Sequence, residues 1–227
     1  VIATHYPHLA VVTDKYARFF AELVERTARL IAQWQAVGWA HGVMNTDNMS
    51  ILGLTLDYGP FGFLDAFEPG FICNHSDAGG RYAFDQQPDV AAWNITKLAQ
   101  ALVPLMSVET ASQAISEYPQ VFGRAYLERM AAKFGLPPGS ETVSLVMDAL
   151  QLLAQNHVDY TIFLRRLCDF DSRPEALNPP LRDLFLDRAE RKPSRSAARM
   201  LAAAAPARGG SSASRASPRP PKTAWEM

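Results

Sequence analysis

The chain has 227 residues, of which 48% are hydrophobic and 20% charged, a composition that suits one globular domain with a sizeable core. Its net charge of −1 conceals an acidic body, because residues 1–192 carry 16 basic and 22 acidic side chains, about −6 in total. This charge argues against nucleic acid as a partner, since phosphate backbones are held chiefly by lysine and arginine. It is compatible with divalent cations, which prefer carboxylate oxygens.

The apolar runs and the cysteines bear on the compartment. The runs are interrupted by charge and are shorter than the ~20 residues that a membrane-spanning helix needs. The first residues, VIATHYPHLA, lack a basic segment followed by an apolar one, so export is not indicated. Cys73 and Cys168 fit neither a disulfide framework nor a zinc cluster, which suits a reducing compartment, although a redox-active pair stays open. We therefore expect a cytoplasmic protein with no membrane partner.

The spacing of apolar residues predicts a mainly helical chain. Residues 14–37 place them at intervals of three and four, which indicates an amphipathic helix that Thr13 caps and Gly38 ends. Pro88 is a good first-turn residue for a second helix, which continues to residue 102. Further helices are predicted over residues 107–135, with a break or kink at Pro119, and over residues 140–156, 159–170 and 179–192.

One small β-hairpin is predicted between the first two long helices. Residues 49–56, MSILGLTL, hold two short apolar runs around Gly53, which is typical of a tight hairpin. Its open end brings Asn48 and Asp57 side by side. Carboxylate and carboxamide oxygens are ligands that Mg²⁺ accepts when it bridges nucleotide phosphates.

The same two residues match the metal-binding pattern of protein kinases. Kinases hold their metals with an Asn of the catalytic loop and the Asp of a D-F-G triplet, which here reads Asp57-Tyr58-Gly59. The alternative is that NTDN and DYG are ordinary turns rich in Asn, Asp and Gly. A kinase base lies five residues before the Asn, and that position is Val43, which cannot accept a proton. Ordinary phosphotransfer is therefore disfavoured.

Asp47 is the carboxylate that remains in this loop, and His41 stands at its start. A turn or capping role is the alternative for Asp47. For His41, ordering of the loop through hydrogen bonds is favoured over catalysis.

A longer stretch carries a family resemblance. The segment HGVMNTDNMS from His41, followed by LDYGPFGFLDAFEPGFICNHSDAGGRYAFDQQPDVAAWNITKLAQAL, resembles the selenoprotein O (SelO, YdiU) family. The similarity begins with HYPHL at His5, runs to residue 105 and continues more loosely to about residue 190. It implies a kinase-like protein that binds ATP in a flipped orientation and transfers AMP to Ser, Thr or Tyr hydroxyls of proteins.

The resemblance also implies roles for three residues. Asp47 is expected to be the catalytic base, Asn48 and Asp57 the ligands of Mg²⁺, with Mn²⁺ as an alternative metal, and Asp57 also lies close to the ATP phosphates. For a eukaryotic member of this family the expected location is the mitochondrion. ATP and hydroxyl-bearing proteins are the expected partners.

The expected architecture is a protein-kinase-like C-lobe over residues 1–192, followed by a low-complexity tail over residues 193–227. The tail is rich in Ala, Ser, Pro, Arg and Gly, so we expect it to be disordered, with a basic arm for nucleic acid or membrane as the alternative. About a dozen residues precede the first long helix, which leaves no room for a kinase N-lobe. We therefore expect reduced or absent adenylyltransferase activity from the chain alone. The alternative is a catalytically inactive remnant that serves as a protein-binding helical module.

Overall fold

The computed structural model describes residues 1–137, 139–171, 173 and 176–185, and this part of the chain is mainly helical. The expected tail, residues 193–227, and the end of the last predicted helix lie outside the described residues. The helices are α1 (Ile2–His5), α2 (Lys15–Val37), α3 (Gln87–Leu102), α4 (Val108–Ser116), α5 (Tyr118–Phe134), α6 (Ser140–Gln155), α7 (Tyr160–Leu167) and α8 (Pro179–Arg182). No helix among these residues is both long and apolar enough to cross a membrane.

Helix α2 is the central element, as its apolar spacing predicts. It buries one face, which includes Phe20 and Ile31, and ends at Gly38, whose φ of 69° is the left-handed conformation that glycine adopts readily. The predicted cap at Thr13 is wrong, because the residue before the helix is Asp14. The Asp14 carboxylate accepts from Arg18 at 2.9 Å, one turn into the helix, and makes no capping hydrogen bond.

The predicted break in the helix over residues 107–135 is confirmed. Helix α4 ends at Ser116 and α5 begins at Tyr118, so Pro119 lies in the first turn of α5, where its missing N–H costs no hydrogen bond. The predictions for residues 88–102, 140–156 and 159–170 are confirmed by α3, α6 and α7, with ends that match or differ by at most three residues.

The predicted hairpin at residues 49–56 is wrong. These residues form a turn in which the Gly53 N–H donates to the Ser50 carbonyl at 3.3 Å. Ile51 and Leu52 pack against the hydrophobic core that includes α2, and residues 49–52 form no strand pair with residues 54–56. Gly53 lies so close to α2 that an added Cβ would meet the Arg26 Cβ at 2.8 Å. Packing against α2 therefore replaces strand pairing in this segment.

The two-stranded antiparallel sheet lies elsewhere. Strand β1 (Trp39–Ala40) follows α2 directly and pairs with β2 (Gly62–Phe63), with Trp39 opposite Phe63 and Ala40 opposite Gly62. The polar loop and the DYG triplet both lie in the connection between these strands. The sheet therefore sets the two ends of the candidate site.

Two hydrophobic clusters make the core. The first packs α2 against α3, α4 and the N-terminal residues, with Tyr6, Phe20 and Ile31 fully buried. The second joins α5, α6, α7 and the residues around Leu64, with Leu153 and Phe163 fully buried. Strand β1 contributes to both clusters, so the connection after it begins on a rigid base.

Candidate functional site

The polar loop of residues 41–48 begins at a buried anchor. His41 is 1% exposed, and its backbone N–H donates to Oε1 of Gln87 at 2.8 Å. Gln87 is also fully buried, and its Nε2 donates to the Trp39 carbonyl at 3.0 Å. The side chain at the start of α3 therefore satisfies backbone groups on both sides of Ala40, and this holds the start of the loop in place.

The His41 ring connects the loop to the DYG segment. Its Nε2 donates to the Leu56 carbonyl at 2.9 Å, and its Nδ1 lies 3.4 Å from the Val43 N–H, which donates to it. Both contacts are met by the neutral tautomer with the proton on Nε2. Because Leu56 directly precedes Asp57, this hydrogen bond brings the two polar segments together. His41 thus orders the loop.

Asn48 is held with its amide oxygen available. Its Nδ2 donates to the Val43 carbonyl at 3.0 Å, and its backbone N–H donates to the Asn45 carbonyl at 3.0 Å. Asp47 precedes it in a single 3₁₀ turn, Thr46–Asn48, and its side chain is exposed. Among the described residues, no side chain donates a hydrogen bond to the Asp47 carboxylate.

Asp57 has an unusual backbone. Its φ is 58°, in the left-handed region that non-glycine residues rarely adopt, and its side chain is exposed. The Gly59 N–H donates to the Asp57 carbonyl at 2.8 Å, which closes a tight turn. The neighbouring Tyr58 ring packs near Trp39, with 6.0 Å between centroids, and edge-on against Phe61 at 5.6 Å. Aspartate is among the residues that adopt this conformation more readily than most, and backbone conformations of this kind are concentrated at functional sites.

Asn48 and Asp57 offer oxygen donors of the kind that a hard divalent cation accepts. Asn48 offers an amide oxygen, and Asp57 offers a carboxylate that accepts from no other side chain in the described part of the chain. The described part of the chain holds no cluster of three or more His, Cys, Asp or Glu arranged to bind a metal. One carboxylate, one carboxamide, phosphate oxygens and water form a shell that Mg²⁺ accepts, whereas Zn²⁺ sites use nitrogen and sulfur ligands.

Cys73 packs behind the loop. Its Sγ donates to the Ala40 carbonyl at 3.6 Å, and a Cβ on Gly42 would meet this sulfur at 2.7 Å. Burial raises the pKa of the Cys73 thiol above its ordinary value, so it stays protonated at neutral pH. These features fit a packing role.

Two buried amides on α3 escaped the sequence analysis. Gln87 anchors His41, and Asn94, 5% exposed, donates through Nδ2 to the Met44 carbonyl at 2.9 Å. They are seven residues apart, two helical turns, and so lie on the same face. The signal that reveals them is a pair of carboxamides within the apolar stripe of an amphipathic helix.

With this geometry established, comparison with known proteins identifies the family. Residues 1–190 match the family model described as "Protein adenylyltransferase SelO". The chain therefore belongs to the SelO family.

Its relatives include bacterial proteins named "Protein nucleotidyltransferase YdiU". The chain is 78% identical over 189 residues to the one from Thiobacillus denitrificans, a match that covers 83% of this chain and 39% of the relative. It is 58% identical to the one from Myxococcus xanthus over 82% of this chain and 38% of the relative. It is 53% identical to the one from Pectobacterium carotovorum, with 83% and 39% covered. The chain thus spans about two fifths of the length of these relatives.

Proposed function

We propose that this chain carries the metal- and base-bearing part of a protein adenylyltransferase, which transfers AMP from ATP to Ser, Thr or Tyr hydroxyls of proteins. One observation carries the proposal: the buried His41 ring is hydrogen-bonded to Val43, in the loop before NTDN, and to Leu56, directly before DYG, within a segment that is 78% identical to a protein nucleotidyltransferase. The helical body that supports both segments corresponds, in this proposal, to the C-lobe of a protein-kinase-like fold.

Each polar residue has one role in the proposed reaction. Asp47 accepts the proton of the substrate hydroxyl, whose oxygen bonds to the α-phosphorus of ATP while the bond to the β-phosphate oxygen breaks and pyrophosphate leaves. Asn48 Oδ1 and the Asp57 carboxylate would hold Mg²⁺, or Mn²⁺ in its place, with Asp57 near the phosphates, and the ion would supply neutralisation of phosphate charge. Exposure of the Asp47 carboxylate in its 3₁₀ turn supports access by a protein substrate.

The proposal is tested in a chimera. The 189 matched residues of this chain replace their counterparts in the Thiobacillus denitrificans relative, and intact-mass spectrometry follows adenylyl adducts on a protein that the unmodified relative modifies. We expect the chimera to form the adduct with ATP and Mg²⁺ and to lose it on chelation. A folded chimera that binds the substrate protein but forms no adduct would contradict the proposal and favour the inactive, protein-binding helical module.

A further inference from the structure

A cluster of cations and aromatic rings lies beside the NTDN loop. This cation–aromatic cluster consists of Arg81, Tyr82, Trp93 and Lys97. The Arg81 guanidinium carbon lies 4.8 Å from the Trp93 ring centroid and 5.7 Å from that of Tyr82, and Lys97 Nζ lies 5.0 Å from the Trp93 centroid. Trp93 is 44% exposed, so the two cations lie at an indole ring that solvent can reach.

The two cations are not neutralised by carboxylates of the described chain. Arg18, Arg26 and Arg29 on α2 each form an ion pair with an acidic side chain one turn away. In contrast, neither Arg81 nor Lys97 lies within 4.0 Å of a carboxylate oxygen of the described residues.

One acidic side chain beside the cluster, that of Asp77, is engaged by backbone groups. The Asp77 carboxylate accepts from the backbone N–H groups of Arg81 at 2.9 Å and Tyr82 at 2.7 Å. With two cations and the one negative charge of Asp77, the cluster is net positive within a body whose net charge is about −6.

The cluster is connected to the candidate active site. The Tyr82 hydroxyl donates to Asn45 Oδ1 at 2.5 Å, and the Asn45 carbonyl accepts from the Asn48 N–H. Only Thr46 and Asp47 separate Asn45 from Asn48. The cluster is therefore joined to the loop two residues before the proposed base.

A groove of about 340 Å³ extends from the cluster along α3. Its lining includes Lys97 and Thr46, the residue before Asp47. The rest of the lining is mainly apolar, with Met49, Ile51, Ile95 and Leu98. The groove thus combines a cation, an apolar lining and a neighbour of the proposed base. That combination suits an extended peptide segment that carries both an acidic and an apolar side chain.

We propose that Arg81 and Lys97, positioned by Trp93, bind a carboxylate side chain of the protein substrate, so that the modified hydroxyl is one flanked by acidic residues. The inference rests on the proposed function and names its substrate class. Charge complementarity favours a carboxylate on a protein over a polyanion such as nucleic acid, because the acidic body around these two cations repels an extended array of phosphates.

Binding is tested separately from catalysis. Fluorescence anisotropy measures the affinity of the full 227-residue chain for two labelled peptides. One has a single Ser flanked by Glu residues, and the other has Gln in place of each Glu. We expect the chain to bind the Glu peptide about tenfold more tightly than the Gln peptide, and this preference to disappear at high salt concentration. The double variant Arg81→Gln, Lys97→Gln should remove the preference.

The matched control removes equal charge elsewhere. Arg165→Gln with Arg166→Gln, both exposed on α7, should keep the preference for the Glu peptide. Charge reversal by Arg81→Glu with Lys97→Glu should transfer the preference to a third peptide with Lys at the flanking positions. The inference would be overturned if the unmodified chain bound the Glu and Gln peptides with equal affinity. It would also be overturned if the α7 control lost the preference for the Glu peptide as fully as the Arg81, Lys97 variant does.

The outcome for catalysis is read independently. In the chimera, Arg81→Gln with Lys97→Gln should reduce the ratio of kcat/KM for the Glu peptide over the Gln peptide about tenfold. If the chain prefers the Glu peptide in the binding assay but the chimera transfers no AMP, the proposed function is refuted and the docking site stands. Transfer without discrimination refutes the docking site alone.

Discussion

At the scale of single residues, the candidate site consists of exposed acidic side chains on buried supports. Asp47 and Asp57 are exposed, while His41 and Gln87, which hold the surrounding backbone, are almost completely buried. A buried polar group without a partner costs about 1–3 kcal/mol, so the hydrogen bonds of His41 and Gln87 define the loop conformation strongly. This arrangement leaves both carboxylates accessible to solvent.

The first prediction at this scale separates the two carboxylates. In the chimera, Asp47→Asn should lower the rate of AMP transfer by about 10²–10⁴-fold, because a general base acts in the chemical step, and should leave ATP affinity nearly unchanged. Asp57→Asn should weaken Mg²⁺-dependent ATP binding itself. Calorimetry measures the affinity and single-turnover mass spectrometry the rate.

Asp148→Asn, an exposed change on α6, is the control and should alter neither quantity. If Asp47→Asn and Asp57→Asn lowered ATP affinity equally, Asp47 would be a ligand and not the base.

At the scale of elements, helix ends show how local sequence and distant packing combine. Helices α2 and α5 both end at glycines in the left-handed conformation, Gly38 with φ 69° and Gly135 with φ 66°. A Cβ on Gly135 would meet no atom within 4 Å, whereas a Cβ on Gly38 would lie 2.8 Å from Cδ1 of the Tyr160 ring. The glycine that ends α5 thus meets only a local backbone requirement, whereas the glycine that ends α2 also makes a close packing contact.

Alanine substitution at these positions should separate the two contributions. Gly135→Ala should lower the free energy of unfolding by about 1–2 kcal/mol, the cost of a left-handed alanine. Gly38→Ala should lower it by about 1–3 kcal/mol more, because the Tyr160 ring must move. Urea denaturation monitored by circular dichroism measures both.

Gly123→Ala is the control of opposite sign. Gly123 lies inside α5, and an added Cβ there meets no atom within 4 Å, so alanine should stabilise the protein by about 0.5–1 kcal/mol. Equal destabilisation by the Gly38 and Gly135 changes would show that the Tyr160 contact carries no cost.

At the scale of the molecule, segments far apart in sequence close the core around the end of α2. The buried Tyr160 hydroxyl donates to the Ala36 carbonyl at 2.9 Å, across 124 residues, and the Tyr160 N–H donates to the Asp65 carbonyl at 2.8 Å. Burial, with a smaller contribution from Tyr126, raises the Tyr160 pKa far above its ordinary value. The hydroxyl therefore remains a donor across the physiological pH range, and α2, the segment after β2 and α7 form one unit.

Removal of this hydroxyl should have a measurable cost. Tyr160→Phe leaves the Ala36 carbonyl without that donor, and we expect the free energy of unfolding to fall by about 1–2 kcal/mol. Tyr16→Phe, which changes a 36% exposed ring, should alter it by less than about 0.5 kcal/mol. Thermal unfolding followed by circular dichroism compares them, and equal values for the two variants would refute the importance of the long-range hydrogen bond.

The sequence by itself determined the helices and the polar segments of the site. Helical periodicity is a local property, since residues three and four apart share a face, and α2 and α3 were therefore predicted nearly to their ends. Pro119 and Gly38 act through their own backbone preferences and were predicted for the same reason. The roles of Asp47, Asn48 and Asp57 stay predictions from motif and family.

Only the tertiary structure decided which segments meet. Two short apolar runs next to each other at residues 49–56 predicted a hairpin, but α2 offers them a larger apolar surface, and β1 pairs instead with β2 beyond the DYG turn. The supports at Gln87 and Asn94 and the hydrogen bond from Tyr82 to Asn45 depend on contacts across tens of residues. Such contacts have no fixed spacing along the chain, because they arise from the relative placement of whole helices. The carboxamides in the apolar stripe of α3 mark the two supports, but the sequence does not say which backbone groups they contact.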